Sequence, residues 1–309
     1  MTNLRVVFAG SPAAAVPSLL AIARSGHDIA AVITREDALL GRKRIRTPTP
    51  VARAAEQLDI PVIAANSLAG EPTERILRLQ PDLGVIVAYG GLVREPLLSA
   101  PELGWINLHF SVLPRWRGAA PVQRAIIAGD DVTGASVFQL VEELDAGPIL
   151  GTMTQAIGRN ETAGHLLESL SVSGAELLVG VMDALGTGTA RASEQSGDVT
   201  FAPKLTIEDG RVDWAGTAAT VHNRIRGVTP EPGAFTIVDG DRLKIIDAAR
   251  ARDTPRLTVG RISADGKRVF VGTASEPIEL LTVQPAGKRP MPAADWWRGR
   301  RSDAETAAT

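Results

Sequence analysis

The chain has 309 residues, 44% apolar and 22% charged, with a formal net charge of −2. That length accommodates one large domain or two ordinary ones, and the composition is that of a globular protein whose overall charge announces no nucleic-acid partner. The absence of Cys excludes disulfides, thiol nucleophiles and Cys-ligated zinc, and fits a reducing, cytoplasmic setting. The start "MTNLRVVFAG" lacks a secretory layout, and no apolar run approaches the roughly 20 residues that span a bilayer. Charge is unevenly divided. Residues 1–200 carry 16 Lys+Arg against 21 Asp+Glu, whereas residues 201–309 carry 17 against 14.

In chain order, "LRVVFAG" reads as a buried strand. In "SPAAAVPSLLAIARSGH", Ser11 is placed to cap a helix, Pro12 suits its first position and Gly26 closes it. "DIAAVIT" is a strand, "TPVARAAEQLDI" a helix and "PVIAA" a short strand. "AGEPTERILRLQ" is a helix, and "PDLGVIVAYG" and "ELGWINLHFS" are strands. This alternation with near-continuous apolar strands predicts an α/β fold with a Rossmann-like, mostly parallel sheet. Ligands of such sheets bind at the carboxyl ends of strands.

"TGASVFQLVEELDAGPIL" reads as strand, acidic loop and strand, and "AGHLLESLSVSGAELLVGVMDAL" as one helix or two. The Gly-, Ser- and Thr-rich stretch 189–206 is expected to be a linker after a domain spanning 1–188. Residues 207–309 change rhythm: one short helix, then short strands separated by Asp-Gly turns, predicting a small β-barrel-like domain.

"WINLHFSVLPRWRGAAP" carries the chemistry. Its strand alternates, so Asn107 and His109 lie on one face, roughly 6.5–7 Å apart, while Ile106, Leu108 and Phe110 point the other way. An amide and an imidazole side by side can polarise a carbonyl and steady the oxyanion formed on attack. His109 can also move a proton near neutral pH. A core histidine with a satisfied hydrogen bond is the plain alternative. Asp145 in "EELDAGPIL" is the natural third member, since a carboxylate fixes an imidazole's tautomer; by itself it reads more readily as a turn residue. There is no G-x-S-x-G, P-loop or G-x-G-x-x-G, and His27, His109, His165 and His222 show no metal-ligand spacing. Chemistry without a metal is therefore expected. "GRKRIR" holds four basic residues in six, either a solvated loop or one that contacts phosphates.

"NLHFSVLPRWRGAAPVQRAI" resembles the signature of the folate-dependent formyltransferases, "N-x-H-x-S-x-L-P" with a following Gly. "FAGSP", "GRKRIRTPTP", "PDLGVIVAYG", "LDAG", "FAPKLTIEDGRVDW" and "PAGKRPM" extend the resemblance over essentially the whole chain, toward the branch that formylates methionine on initiator tRNA. The resemblance implies Asn107, His109 and Asp145 as the catalytic triad. It implies Ser111, Val112, Leu113, Pro114 and Tyr89 at a folate site, with 10-formyltetrahydrofolate as co-substrate. It implies contacts to initiator tRNA from Arg42, Lys43, Arg44 and Arg46, and from Lys288 and Arg289 in an OB-like second domain, with Arg298, Arg300 and Arg301 assisting; a monomer is expected. Two other readings share part of this evidence. One is a formyltransferase for a small amine, which needs neither the basic loop nor the second domain. The other is a non-catalytic RNA-binding protein, which has no use for the three polar residues.

Overall fold

The computed structural model describes residues 3–40, 44–300 and 307–309. In chain order the elements are β1 (Arg5–Gly10), α1 (Val16–Arg24), β2 (Asp28–Thr34), β3 (Ala38–Leu40), β4 (Ile45–Thr47), α2 (Pro50–Gln57), β5 (Val62–Ala64), α3 (Glu71–Arg78), β6 (Leu83–Val87), β7 (Trp105–His109), α4 (Pro121–Ala128), β8 (Val132–Gln139), β9 (Ile149–Ala156) and α5 (Ala163–Gly186). There follow α6 (Ala218–Gly227), β10 (Ala234–Val238), β11 (Asp241–Arg250), β12 (Ile262–Asp265), β13 (Arg268–Val271), β14 (Ile278–Pro285), β15 (Met291–Pro292) and α7 (Ala293–Arg298). The chain divides into two units: residues 1–119, 133–155 and 167–202, and residues 120–132, 156–166 and 203–309.

The first unit is built on a seven-stranded sheet in the order β5-β2-β1-β6-β7-β8-β9. Pairings from β5 through β7 are parallel, and β8 turns antiparallel to β7. Along β1, Val6, Val7, Phe8 and Ala9 are all fully buried, which explains the unbroken apolar run: helices cover both faces of the strand. The strand order reverses between β1 and β6, opening a crevice at their carboxyl ends. Trp105, fully buried at the start of β7, lies against Gly84, where a Cβ would sit 2.1 Å from the indole. Its Nε1–H donates to the Leu97 carbonyl at 2.8 Å, tying the loop before β7 to the strand that carries Asn107 and His109.

Several sequence expectations change. Ser11 caps no helix; its hydroxyl donates weakly to the Tyr89 carbonyl and accepts from the Arg35 amide, so a long-range contact takes the oxygen that a local cap would use. The stretch begins as a 3-10 turn over Ala13–Ala15, and α1 ends through Ser25, not Gly26, with the Ser25 hydroxyl bonded to the Ile22 carbonyl. Thr49 does cap α2, accepting from the Ala52 amide at 3.0 Å. Helix α5 is one continuous helix of 24 residues, long and apolar enough by length and composition to cross a bilayer. That corrects the expectation of no such run. In this fold it is a packed helix, with Leu166, Leu170, Ala175, Leu178 and Met182 buried, and Gly174 pressed close to Leu108 of β7. Of the basic residues expected in a loop here, Arg46 lies on β4, which pairs antiparallel with β3, and Arg44 immediately precedes β4.

The second unit is an antiparallel sheet in the order β10-β11-β14-β13-β12, with β15 beside β14 and helix α6 on its core. The Asp239-Gly240 turn has both residues at positive φ, 52° and 85°, the geometry that two-residue hairpins require. Residues 307–309 bridge the open side of the sheet: Ala308 pairs with Val238 of β10, Ala307 with Arg261 just before β12, and Thr309 exchanges two hydrogen bonds with Ile237. The result is an antiparallel half-barrel, consistent with the OB-like domain expected for this half. Helix α4, read as part of the first domain, packs on α6 within this unit.

Candidate active site

Strand β7 places Asn107 and His109 on one face, with Phe138 and Ser136 of β8 paired opposite them. The Asn107 side chain is half-buried and makes no hydrogen bond among the described residues. A polar amide left without a protein partner on a sheet face is poised for an external one.

His109 is buried, with only 6% of its surface exposed, and packs edge-on to Phe138. Its Nε2 lies 2.8 Å from the Trp116 carbonyl. A carbonyl only accepts, so Nε2 carries the proton and Nδ1 is the basic nitrogen of the neutral ring. Nδ1 stands 3.7 Å from Asp145 Oδ2, an ion-pair distance and not a hydrogen bond. Burial pulls the imidazole below its ordinary pKa; the Asp145 charge and the bond to Trp116 oppose that pull without overturning it.

Asp145 belongs to the loop after β8, which folds back over the face carrying Asn107 and His109. Its backbone is in the left-handed region, φ 47°, and its Oδ2 accepts the Gly118 amide at 2.7 Å. Gly147 allows the loop to close: a Cβ there would lie 1.7 Å from the Gln139 carbonyl. Two loops thus meet at the histidine. The 114–118 loop supplies the Trp116 carbonyl and Gly118 amide, and the 140–148 loop supplies the carboxylate.

Residues 193–202, read as part of a linker, are instead laid across these loops within the first unit. Ser193 exchanges backbone bonds with Ile149, Thr200 Oγ1 accepts the Trp116 amide at 2.9 Å, and the Thr200 carbonyl accepts the Arg117 amide at 2.9 Å. The Ala202 amide returns a bond to the Arg117 carbonyl at 2.7 Å. Arg117 is buried, its guanidinium shared between Glu143 and Gln195. The chemistry of these polar residues was visible in the sequence, but their target was not, because each contact spans dozens of residues.

The other expected site residues fall into three groups. Ser111, Leu113 and Pro114 are buried: Ser111 Oγ donates to the Arg115 carbonyl, and Ser136 Oγ joins the Ser111 carbonyl to the Leu113 amide, so this run is a scaffold with only Val112 half-exposed. Tyr89 is also a core residue, 1% exposed, its hydroxyl donating to the Ala65 carbonyl at 2.7 Å. Exposed apolar side chains on the loops after β6 and β8 are Leu92, Val141 and Leu144. Of the basic residues, Arg44 and Arg46 are exposed on the β3–β4 hairpin, while Arg42 and Lys43 lie outside the described residues. Lys288 and Arg289 are exposed at the turn between β14 and β15. Arg298 bonds Asp295, and Arg300 bonds Asp239 and stacks near Trp296 and Trp297, which builds Arg300 into its own unit; Arg301 lies outside the described residues.

Residues 4–182 match the formyl transferase family and residues 204–301 match the formyl transferase C-terminal domain. The chain is 62% identical over 296 residues to a methionyl-tRNA formyltransferase of Clavibacter sepedonicus, covering 96% of this chain and 97% of the relative. It is 60% identical over 301 residues to one of Leifsonia xyli subsp. xyli, covering 97% and 99%. Among solved structures, an N-formyltransferase from Helicobacter canadensis in complex with folinic acid and dTDP-3-aminofucose superposes with a TM-score of 0.70 at 18% identity, covering 91% of this chain and 99% of that one. The sugar 3N-formyl transferase WlaRD, with dTDP and 5-N-formyl-THF, gives 0.68 at 16% identity, covering 93% and 99%. These distant structures share the fold, and the near relatives fix the branch: the chain belongs to the formyl transferase family, among the methionyl-tRNA formyltransferases.

Proposed function

We propose that the chain transfers a formyl group from 10-formyltetrahydrofolate to the amino group of methionine carried on initiator tRNA. The observation that carries this reading is the convergence of Asn107, His109 and Asp145 on one face of β7, in a chain 62% identical to a relative named for that reaction. The donor supplies an electrophilic formyl carbonyl. The exposed Leu92, Val141 and Leu144 offer apolar surface suited to its flat rings, and the buried 111–114 run holds the site rigid beneath.

The Asn107 amide, with no hydrogen-bond partner among the described residues, donates to the oxygen that gains negative charge as the amine attacks. Because Trp116 holds Nε2–H, His109 acts through Nδ1. In the neutral ring Nδ1 takes the proton that the attacking nitrogen must lose. The imidazolium then faces Asp145 Oδ2, which steadies the new charge. As the bond from carbon to the leaving nitrogen breaks, the proton on Nδ1 is placed to follow it. The Gly118 amide keeps the Asp145 carboxylate aimed. The acceptor is read by Arg42, Lys43, Arg44 and Arg46, together with Lys288 and Arg289.

The test supplies purified protein with 10-formyltetrahydrofolate and either methionine-charged initiator tRNA or a free amine such as an amino sugar nucleotide. Formyl transfer to the charged tRNA alone supports the reading. Transfer to the small amine with none to the tRNA overturns it in favour of a small-molecule formyltransferase.

A further inference from the structure

We infer that Gln195 is a positioning residue for the reaction: it fixes the distance between Asp145 and His109 by fastening together the two loops that hold them. The inference rests on the function proposed above. Gln195 falls between the two stretches that match the family, 4–182 and 204–301, in a segment whose composition suggests a spacer. Its side chain uses both ends of the amide. Oε1 accepts from Arg117 Nε at 3.2 Å and Nη2 at 2.8 Å, and Nε2 donates to the Asp145 carbonyl at 2.8 Å and the Gly147 carbonyl at 2.9 Å.

Each partner belongs to the catalytic arrangement without touching the reacting atoms. Arg117 lies between Trp116, whose carbonyl fixes the His109 tautomer, and Gly118, whose amide holds the Asp145 carboxylate. Asp145 and Gly147 bracket the turn that aims that carboxylate, and Asp145 sits at a φ of 47°, a conformation a non-glycine residue keeps only when its surroundings enforce it. One amide therefore satisfies two carbonyls on the acidic loop and two donors on the facing loop. Glu143 of the acidic loop also meets Arg117, at 3.1 Å, but its side chain is 75% exposed, leaving Gln195 as the more sheltered of the two ties. Only a side chain with both a donor and an acceptor end spans this junction: a carboxylate would serve Arg117 but would face two carbonyls with lone pairs, and an alkyl chain would serve neither.

The test measures formylation of charged initiator tRNA by wild type, Gln195→Ala and Gln195→Glu, each also in an Asp145→Asn background, with melting temperatures recorded. Gln195→Ala is expected to lower kcat about 10- to 100-fold, as small misplacements at reacting centres do, with KM for both substrates within threefold. Gln195→Glu, which keeps the Arg117 pairing and protects the fold, is expected to lose comparable activity. In the Asp145→Asn background the same changes are expected to cost less than threefold, because the group being positioned is already gone. Equal losses with and without the Asp145 carboxylate, or full activity in Gln195→Glu, would assign Gln195 to general stability and overturn the inference. Wild-type protein that formylates no tRNA at all would instead refute the function on which the inference rests.

Discussion

The Gly118 amide and the Asp145 carboxylate are joined by a 2.7 Å hydrogen bond, and the same oxygen, Oδ2, looks toward His109 Nδ1. Gly118 reaches this position at a φ of 122°, with its Cα so close to the 193–202 segment that a Cβ would lie 2.8 Å from the Ala202 carbonyl. Gly118→Ala is therefore expected to cost about 1–3 kcal/mol of stability and to lower kcat more than its effect on melting temperature accounts for. Thermal melts and steady-state kinetics on the same preparation check both halves. A variant that is destabilised but keeps its kcat at a permissive temperature would separate the glycine from the carboxylate's aim.

Asn107→Ala and His109→Ala test the two groups on β7. Loss of one oxyanion donor costs on the order of 10²–10³ in rate. Asn107 is half-buried, so the melting temperature of Asn107→Ala is expected to stay close to wild type; His109→Ala also removes the bond to Trp116 and the contact with Phe138, so its rate is measured at a temperature where its melt shows the variant folded. Activity within about threefold of wild type in His109→Ala would remove the histidine from the mechanism.

The pH dependence has a definite sign. Burial holds His109 below the ordinary histidine value of about 6.5, and the reaction needs its neutral form. The rate is therefore expected to rise with pH through a midpoint below that value and to be level from pH 7 to 8. Asp145 is the charged neighbour that raises this pKa, so Asp145→Asn is expected to move the midpoint lower still while reducing the plateau. Stability follows the same direction. His222 is also depressed, chiefly by burial and then by Arg226. The unfolded chain thus binds more protons than the folded one below about pH 6.5, and stability falls as pH drops through that window. Melts at pH 7.5 and 5.5, with His222→Gln for comparison, measure it; a melting temperature that rises on acidification would contradict the burial argument.

What was legible in the sequence is what depends on neighbours along the chain. The two-residue spacing put Asn107 and His109 on one face, and Asp239-Gly240 announced its hairpin. What was hidden depends on distant partners. Ser11 has the chemistry of a cap but spends its hydroxyl on Tyr89 and Arg35. Gln195 and Thr200 lie in a stretch whose polar composition suggests a spacer, yet those polar groups satisfy backbone atoms around positions 116, 117, 145 and 147. Tyr89 follows an apolar strand at the sheet's carboxyl edge, and nothing local reveals that its ring turns inward to Ala65. The three-residue strands of the basic hairpin are too short for periodicity to register.

Closure of the second unit by residues 307–309 gives a stability prediction separate from the chemistry. Ala308 is 5% exposed and belongs to that unit's apolar cluster. Ala308→Asp places a carboxylate there without a partner and is expected to cost on the order of 1–3 kcal/mol or more. Limited proteolysis is expected to cut the second unit first. Unchanged protease resistance would show that the bridge to β10 and the residues before β12 is dispensable.

The last prediction concerns how the acceptor is held. Strands β3 and β4 follow β2 at the carboxyl end of the sheet, and they bracket Arg42, Lys43 and Arg44, with Arg46 opposite Leu39. These four form the densest cationic cluster in a half of the chain that is otherwise net negative. Each phosphate contact releases condensed counterions, so its loss makes binding both weaker and less sensitive to salt. Changing Arg42, Lys43 and Arg44 together to Ala is expected to raise KM for charged tRNA at least tenfold. The slope of log(kcat/KM) against log salt should become shallower by about 1–3. Affinity for the folate donor, measured separately by fluorescence or calorimetry, is expected to stay within twofold, because Leu92, Val141 and Leu144 lie on other loops. An unchanged KM and salt slope would make the hairpin tip an ordinary solvated surface. An equal loss of folate affinity would make it part of the donor site, and the division of labour between the basic hairpin and the loops after β6 and β8 would fail.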